Sequence, residues 1–166
     1  MFCFQHFSLV FFHRININNV YGNNFGKRLI KVHASNVEMT NITGNSNTSD
    51  ALSVIGTNNE QGLGNKRGIV IRNVVARGTI NSAIADNCDG TLINGFDINT
   101  VNPSIAGQGA NSFGINLSGF NTRISDGRVS CERGIFFNNA TTKMQNIHIR
   151  DIQIVFKNIT TSAIML

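Results

Sequence analysis

The chain has 166 residues, 41% of them apolar and 14% charged, which supports one domain with a core and excludes a disordered segment. Its 25 asparagines, many Val, Ile, Phe and Thr residues and few Glu and Lys exclude a helical bundle or coiled coil; Cys3, Cys88 and Cys131 are too few and too scattered for a disulfide scaffold or a zinc site. The net charge of +5 raises a nucleic-acid partner, but the 14 basic residues form no run longer than pairs such as Lys27-Arg28 and Lys66-Arg67, so an ordinary basic surface is the plainer reading and no nucleic acid is expected, although the same field would attract an acidic polysaccharide.

The N-terminal stretch Met1 to Phe12 is the most apolar part of the chain. It is too short to span a bilayer, no Lys or Arg precedes it, and no small-residue cleavage site follows. Residues 1–14 are read as an apolar segment or cap, residues 15–166 as the folded domain, and no membrane partner is expected.

From Ile15 onward two motifs alternate. The first reads apolar-x-apolar-x-Asn-apolar: Ile15 to Val20, Val37 to Ile42 and Ile69 to Val74, then weaker copies at Thr91 to Phe96 and Thr122 to Gly127, and a good one at Ile147 to Ile152. Alternation with period two predicts a half-buried strand, and Asn, Asp or Gly at the fifth position predicts a turn of the backbone there. The second motif is a short apolar-x-apolar run, usually after a small residue: Leu29 to Val32, Ala51 to Val54, Ala83 to Asp86, Gly114 to Leu117, Gly134 to Phe137 and Ala163 to Leu166.

The spacing between motifs is regular. Nine residues separate Ile30 from Met39, Ile84 from Ile93 and Ile115 from Ile124; thirteen separate Ile17 from Ile30, Met39 from Leu52 and Ile71 from Ile84. The repeat is therefore about 22 residues long, too short for a helix between strands, and predicts an all-β parallel β-helix of about six coils. Surplus residues fall in polar loops at 57–67, 101–109 and 138–143. An antiparallel sandwich fits less well, because Asn94-Gly95, Asp89-Gly90 and Asp126-Gly127 do not occur at hairpin intervals. In the β-helix, Asn19, Asn41, Asn73, Gly95, Asp126 and Asp151 stack in one column, where asparagine tolerates left-handed backbone and bonds its own kind one coil away.

The alternation of Ala51-Leu-Ser-Val54 or Gly114-Ile-Asn-Leu117 with Ile69-Val-Ile-Arg-Asn-Val74 resembles the right-handed β-helices of the pectate-lyase-like superfamily, with its polygalacturonase-type glycosidases and phage tailspike depolymerases. The resemblance implies a right-handed coil and extracellular or virion-borne action on polysaccharides, by carboxylates or basic residues on the outer face of stacked strands. Laid against the polygalacturonase motifs, Asn47-Thr48-Ser49-Asp50-Ala51-Leu52 keeps the Asn-Thr-Asp character with an inserted serine. The paired aspartates of the next coil fall at Asn81-Ser82, and no Gly-His-Gly or Arg-Ile-Lys follows.

Glycoside hydrolysis needs two carboxyl groups about 5 to 9.5 Å apart. Asp50, just before a short strand, and Asp86 are the catalytic candidates, with Glu60, Lys66, Arg67, Arg72 and Asp97 as substrate-binding candidates. For Asp50 the plainer role is to cap a turn. Asp86 either points into the core with Val32, Val54, Leu117 and Phe137, or, the preferred reading, the strand ends at Ala85 and Asp86 opens a turn through Gly90. A lyase would instead use basic residues to hold a uronate; Arg28 and Arg133 are placed in the column of Asp50, and Arg72 and Arg150 in an outward column.

No cofactor is called for. Asp86, Asp89 and Asp97 offer oxygen ligands for calcium, against the plainer reading of a solvated acidic turn. The function expected first is a glycoside hydrolase or polysaccharide lyase acting on an acidic glycan, and the runner-up is a non-catalytic glycan-binding or structural β-helix. Because the chain stops inside an apolar strand at Ile164-Met165-Leu166, it reads as a fragment of a longer protein, with a homo-oligomer or association through uncapped ends expected.

Overall fold

A computed structural model describes residues 14–48, 50–57, 67–101, 112–137, 146–156 and 164–165. Twelve strands run through them: β1 (Ile15–Asn23), β2 (Arg28–Val32), β3 (Val37–Ser46), β4 (Ser53–Thr57), β5 (Ile69–Thr79), β6 (Ser82–Asp86), β7 (Leu92–Val101), β8 (Phe113–Leu117), β9 (Arg123–Cys131), β10 (Arg133–Phe137), β11 (His148–Phe156) and β12 (Ile164–Met165). The long odd-numbered strands form one six-stranded sheet in chain order, and the short even-numbered strands form a second. Every described pairing is parallel. The chain thus crosses from one sheet to the other and back, adding one strand to each sheet per repeat, an arrangement compatible with a parallel β-helix.

Each long strand bends once, at the predicted fifth position. Asn19, Asn41, Asn73, Asp126 and Asp151 have φ between 53° and 59°, and Gly95 has φ 70°. The amides bond along the column: Asn41 Nδ2 donates to Asn19 Oδ1 at 3.0 Å and Asn73 Nδ2 to Asn41 Oδ1 at 3.1 Å. Gly95 interrupts this chain, because a Cβ there would lie 2.7 Å from Asn73 Oδ1. Asn94, one position earlier, takes over by donating to Asp126 Oδ2 and to Ser125 Oγ.

A second left-handed column lies five residues before the first and was not anticipated. It comprises Asn36, Gly68, Gly90, Asn121 and Asn146, all with φ between 54° and 73°. Asn146 Nδ2 donates to Asn121 Oδ1 at 2.9 Å, and Asn121 Nδ2 donates to Asp89 Oδ1 at 2.7 Å. Glycine again occupies the strained position while its predecessor, here Asp89, carries the side-chain bond. Together the two columns bend the long strands from β3 to β11 in the middle and at the start, and β1 in the middle only.

Between the sheets the core is aliphatic. Ile30, Ile55, Ile84, Ile115 and Ile135 stack on the short-strand side and Met39, Ile71, Ile93 and Ile124 on the long-strand side, all buried. Large and small residues alternate between facing positions: Gly44 leaves room for Val54, and Gly127 leaves room for the Phe96 ring in the neighbouring strand. That accounts for Gly127 where an apolar residue was expected.

One register differs from expectation. The second short strand is Ser53 to Thr57, not Ala51 to Val54, and Ile55 rather than Leu52 stands beside Ile30 and Ile84. Ala51 and Leu52 form the preceding corner, where Leu52 N bonds Lys27 O at 2.7 Å and Ala51 O accepts from Asn81 N at 3.0 Å. Alternation alone could not separate the two registers, because the first and fourth residues of these strands face outward while the second, third and fifth face inward.

Asn41 carries both a strained backbone and two side-chain bonds, and two substitutions separate these. Asn41→Ala, which loses the bonds and keeps an unfavourable φ, is predicted to destabilise by about 2–3 kcal/mol in chemical denaturation, and Asn41→Gly by roughly 1 kcal/mol less. Equal losses would contradict the conformational role of asparagine.

Candidate functional site

The outward positions of the short strands form two adjoining columns. The first holds Arg28, Ser53, Ser82, Phe113 and Arg133; the second holds Lys31, Gly56, Ala85, Asn116 and Phe136. Their sizes vary systematically from strand to strand. β2 carries two cations, β4 and β6 only small residues, and β8 and β10 two aromatics with a third cation.

The small residues make a floor. At its cationic side Arg28, Lys31, Gly56, Thr57 and Ala85 line a depression. Arg28 lies across Gly56: a Cβ added there would meet Arg28 Cδ and Nε at 2.7 Å. At the other side the Phe113 and Phe136 rings stack at 4.6 Å between centroids and 19° between planes, and the Arg133 guanidinium sits 5.7 Å from the Phe113 centroid. Three buried polar atoms on this face, Ser53 Oγ, Asn116 Oδ1 and Arg133 Nε, have no hydrogen-bond partner among the described residues. Buried polar groups are almost always paired, so these three atoms are hydrogen-bonding capacity left unfilled under this face, which a ligand reaches only if the side chains covering them move aside.

Asp86 lies behind this face. It is the last residue of β6, and its side chain is 2% exposed, so the preferred turn reading is corrected: the carboxyl points inward. Its column holds Val32, Thr57 and Leu117, with Thr57 in place of the expected Val54 because of the register of β4. Oδ1 accepts from Thr57 Oγ1 at 2.6 Å and Thr91 Oγ1 at 3.0 Å, while Oδ2 is buried without a hydrogen bond of normal geometry. Burial pushes its pKa from 3.8 up to about 6, opposed only in part by the bonds from Thr57, Thr91 and the Cys88 backbone.

The other sequence candidates are dispersed. Asp50 is exposed in the turn before β4, on the outside while Asp86 is inside, so the two carboxyls do not face a common space. Arg28 and Arg133 do share a column, but with Ser53, three residues beyond Asp50. Glu60, Lys66 and the loops through 102–111 and 138–145 lie outside the described residues. Arg67 pairs with Asp89 at 3.1 Å. Arg72 and Arg150 share an outward column of the long-strand sheet, as expected, and Arg72 Nε lies 3.7 Å from Glu38 Oε1, with Arg14 on the same carboxylate. Asp97 pairs with Arg77, whose Nη1 also donates to the Asp97 carbonyl at 2.6 Å. Asp86, Asp89 and Asp97 are thus committed separately, and no group of three potential metal ligands occurs among the described residues.

The aromatic and small-residue face was missed from sequence. Its signal is the outward pair at first and fourth positions, Arg-Lys, Ser-Gly, Ser-Ala, Phe-Asn and Arg-Phe, legible only once the strands are in register. No family model, characterised protein or solved structure matches the chain.

The burial of Asp86 has a pH signature. The native state holds an extra proton between the unfolded carboxyl's ordinary 3.8 and the folded value of about 6, so stability falls as pH rises through this window and levels off above it. The contribution is about 3 kcal/mol. Denaturation of the wild type and Asp86→Asn across this range is predicted to differ by a slope of that sign and size; parallel curves would contradict a buried, titrating Asp86.

Proposed function

We propose that the two sheets are walls of a right-handed parallel β-helix of the pectate-lyase-like kind, and that the chain binds an acidic polysaccharide on the outer face of the short strands. The single observation that carries this reading is the combination, on one face, of Arg28 and Lys31, a small-residue floor and unpaired Ser53 Oγ, Asn116 Oδ1 and Arg133 Nε. Cations supply charge-assisted bonds to uronate carboxylates, and the buried Ser53, Asn116 and Arg133 groups supply partners for sugar hydroxyls once the side chains over them are displaced. Small residues let an extended chain approach the backbone. Extracellular or virion-associated action belongs to the same proposal.

A second reading, a glycoside hydrolase or polysaccharide lyase, draws on Asp86. Its carboxyl is bonded to Thr57, itself a residue of the depression's lining, and its pKa is raised by burial to about 6. Product formation separates the two: reducing ends or unsaturated uronate released by the wild type and lost in Asp86→Asn favour the enzyme, and retention of glycan without product favours the binder.

Calorimetric titration with oligogalacturonate tests the main proposal. Binding is predicted to weaken as ionic strength rises, and to fall at least about tenfold in a variant carrying both Arg28→Ala and Lys31→Ala, the loss of one or two charge-assisted bonds. An oligothymidylate of equal charge bound as tightly, or affinity unchanged in the double variant, would overturn it.

A further inference from the structure

The cationic and aromatic sides of this face are different chemically and lie a fixed distance apart. Strands in a sheet are spaced about 4.8 Å, so Arg28 and Lys31 on β2 stand three spacings, about 14 Å, from Phe113 on β8, and four, about 19 Å, from Phe136 on β10. The strands between them carry no outward side chain larger than serine, Ser53 and Gly56 on β4 and Ser82 and Ala85 on β6, although Arg28 of β2 reaches across Gly56. An extended ligand crossing that floor meets carboxylate-binding chemistry first and aromatic ring faces last.

A homopolymer of uronate suits only one of these sides. Every sugar in it bears a carboxylate, and placing one against Phe113 and Phe136 removes its water and supplies only Arg133 as a partner. That guanidinium is already over the Phe113 ring. Its Nε is buried, so the charge is held at the aromatic side rather than displayed as on Arg28, which is exposed. A sugar with an apolar patch, a deoxy methyl or an N-acetyl methyl, gains instead from the ring faces.

Resting on the acidic-polysaccharide reading, we infer that the ligand is a mixed glycan in which a uronate sugar, seated at Arg28 and Lys31, is followed across the floor by a deoxy or N-acetylated sugar seated on Phe113 and Phe136. The two sides then act together, and neither kind of sugar alone engages both.

Titration of the full chain with three oligosaccharides of equal length tests this: oligogalacturonate, which is all uronate; chito-oligosaccharide, which is N-acetylated and neutral; and hyaluronan oligosaccharide, in which the two kinds alternate. Hyaluronan oligosaccharide is predicted to bind at least tenfold more tightly than either other probe. Phe136→Ala is predicted to bring it down to the level of oligogalacturonate, and Lys31→Ala towards that of chito-oligosaccharide; Phe136→Leu, which keeps bulk without a ring, serves if the alanine variant fails to fold. Oligogalacturonate binding as tightly as hyaluronan oligosaccharide, with Phe136 substitutions inert, overturns this inference and leaves the acidic-polysaccharide reading intact. Chito-oligosaccharide binding as tightly as hyaluronan oligosaccharide overturns it as well, by removing the cationic side. Failure of both anionic probes to bind overturns the parent reading with it.

Discussion

The rest of the structure depends on a left-handed residue recurring at two fixed points of the repeat. An ordinary L-residue resists that conformation by about 1–2 kcal/mol, so the positions select glycine, asparagine or aspartate. Asparagine does more than tolerate the bend. Its amide has a donor and an acceptor, so Asn41 donates to Asn19 and accepts from Asn73, joining consecutive repeats at the point where each turns. Where glycine takes the bend, the residue before it restores a side-chain bond: Asn94 beside Gly95, Asp89 beside Gly90. The bend and the lateral bond are therefore separable requirements, met by one residue in some repeats and by two in others.

Register follows from these columns, and both faces of the short strands follow from register. Inward, isoleucines from successive short strands stack into a continuous core. Outward, the same alignment collects Arg28, Ser53, Ser82, Phe113 and Arg133, from positions spread over more than a hundred residues, into one line. A shift of one strand by a residue would expose apolar side chains and scatter the cations and aromatics, so core and candidate site share one constraint. Asp86 is the exception inside this order. Two threonines, Thr57 of the adjoining repeat and Thr91, bond a carboxylate in a column that elsewhere holds Val32 and Leu117, and the cost of burying it appears as the raised pKa.

Much of this was legible in the sequence. The repeat, the six long strands, the alternation of two strand types and the column from Asn19 to Asp151 all follow from period-two alternation ended by Asn, Asp or Gly. The second left-handed column is written in the same letters, five residues earlier, but Asn36, Gly68, Gly90, Asn121 and Asn146 sit in segments without alternation and read as ordinary turns. The short strands were harder to place. With two adjacent residues facing inward they break strict alternation, so Ala51-Leu-Ser-Val54 looked as good a strand as Ser53-Val-Ile-Gly-Thr57. That displacement hid Thr57 as the partner of Asp86, and it hid the outward pairs that make the candidate site. Hydrolysis by a pair of carboxylates leaves a residue-type signature in a sequence, whereas a face made of cations, small residues and stacked rings carries no such motif.

The claim that register assembles a ligand-binding face from successive short strands is tested most directly by following backbone amide and side-chain resonances during titration with hyaluronan oligosaccharide. The account predicts shifts confined to the short-strand sheet and running across it, from Lys31 through Gly56 and Ala85 to Asn116 and Phe136. Shifts centred instead on the outer side of the long strands, around Arg72, Asn94 and Arg150, would contradict it.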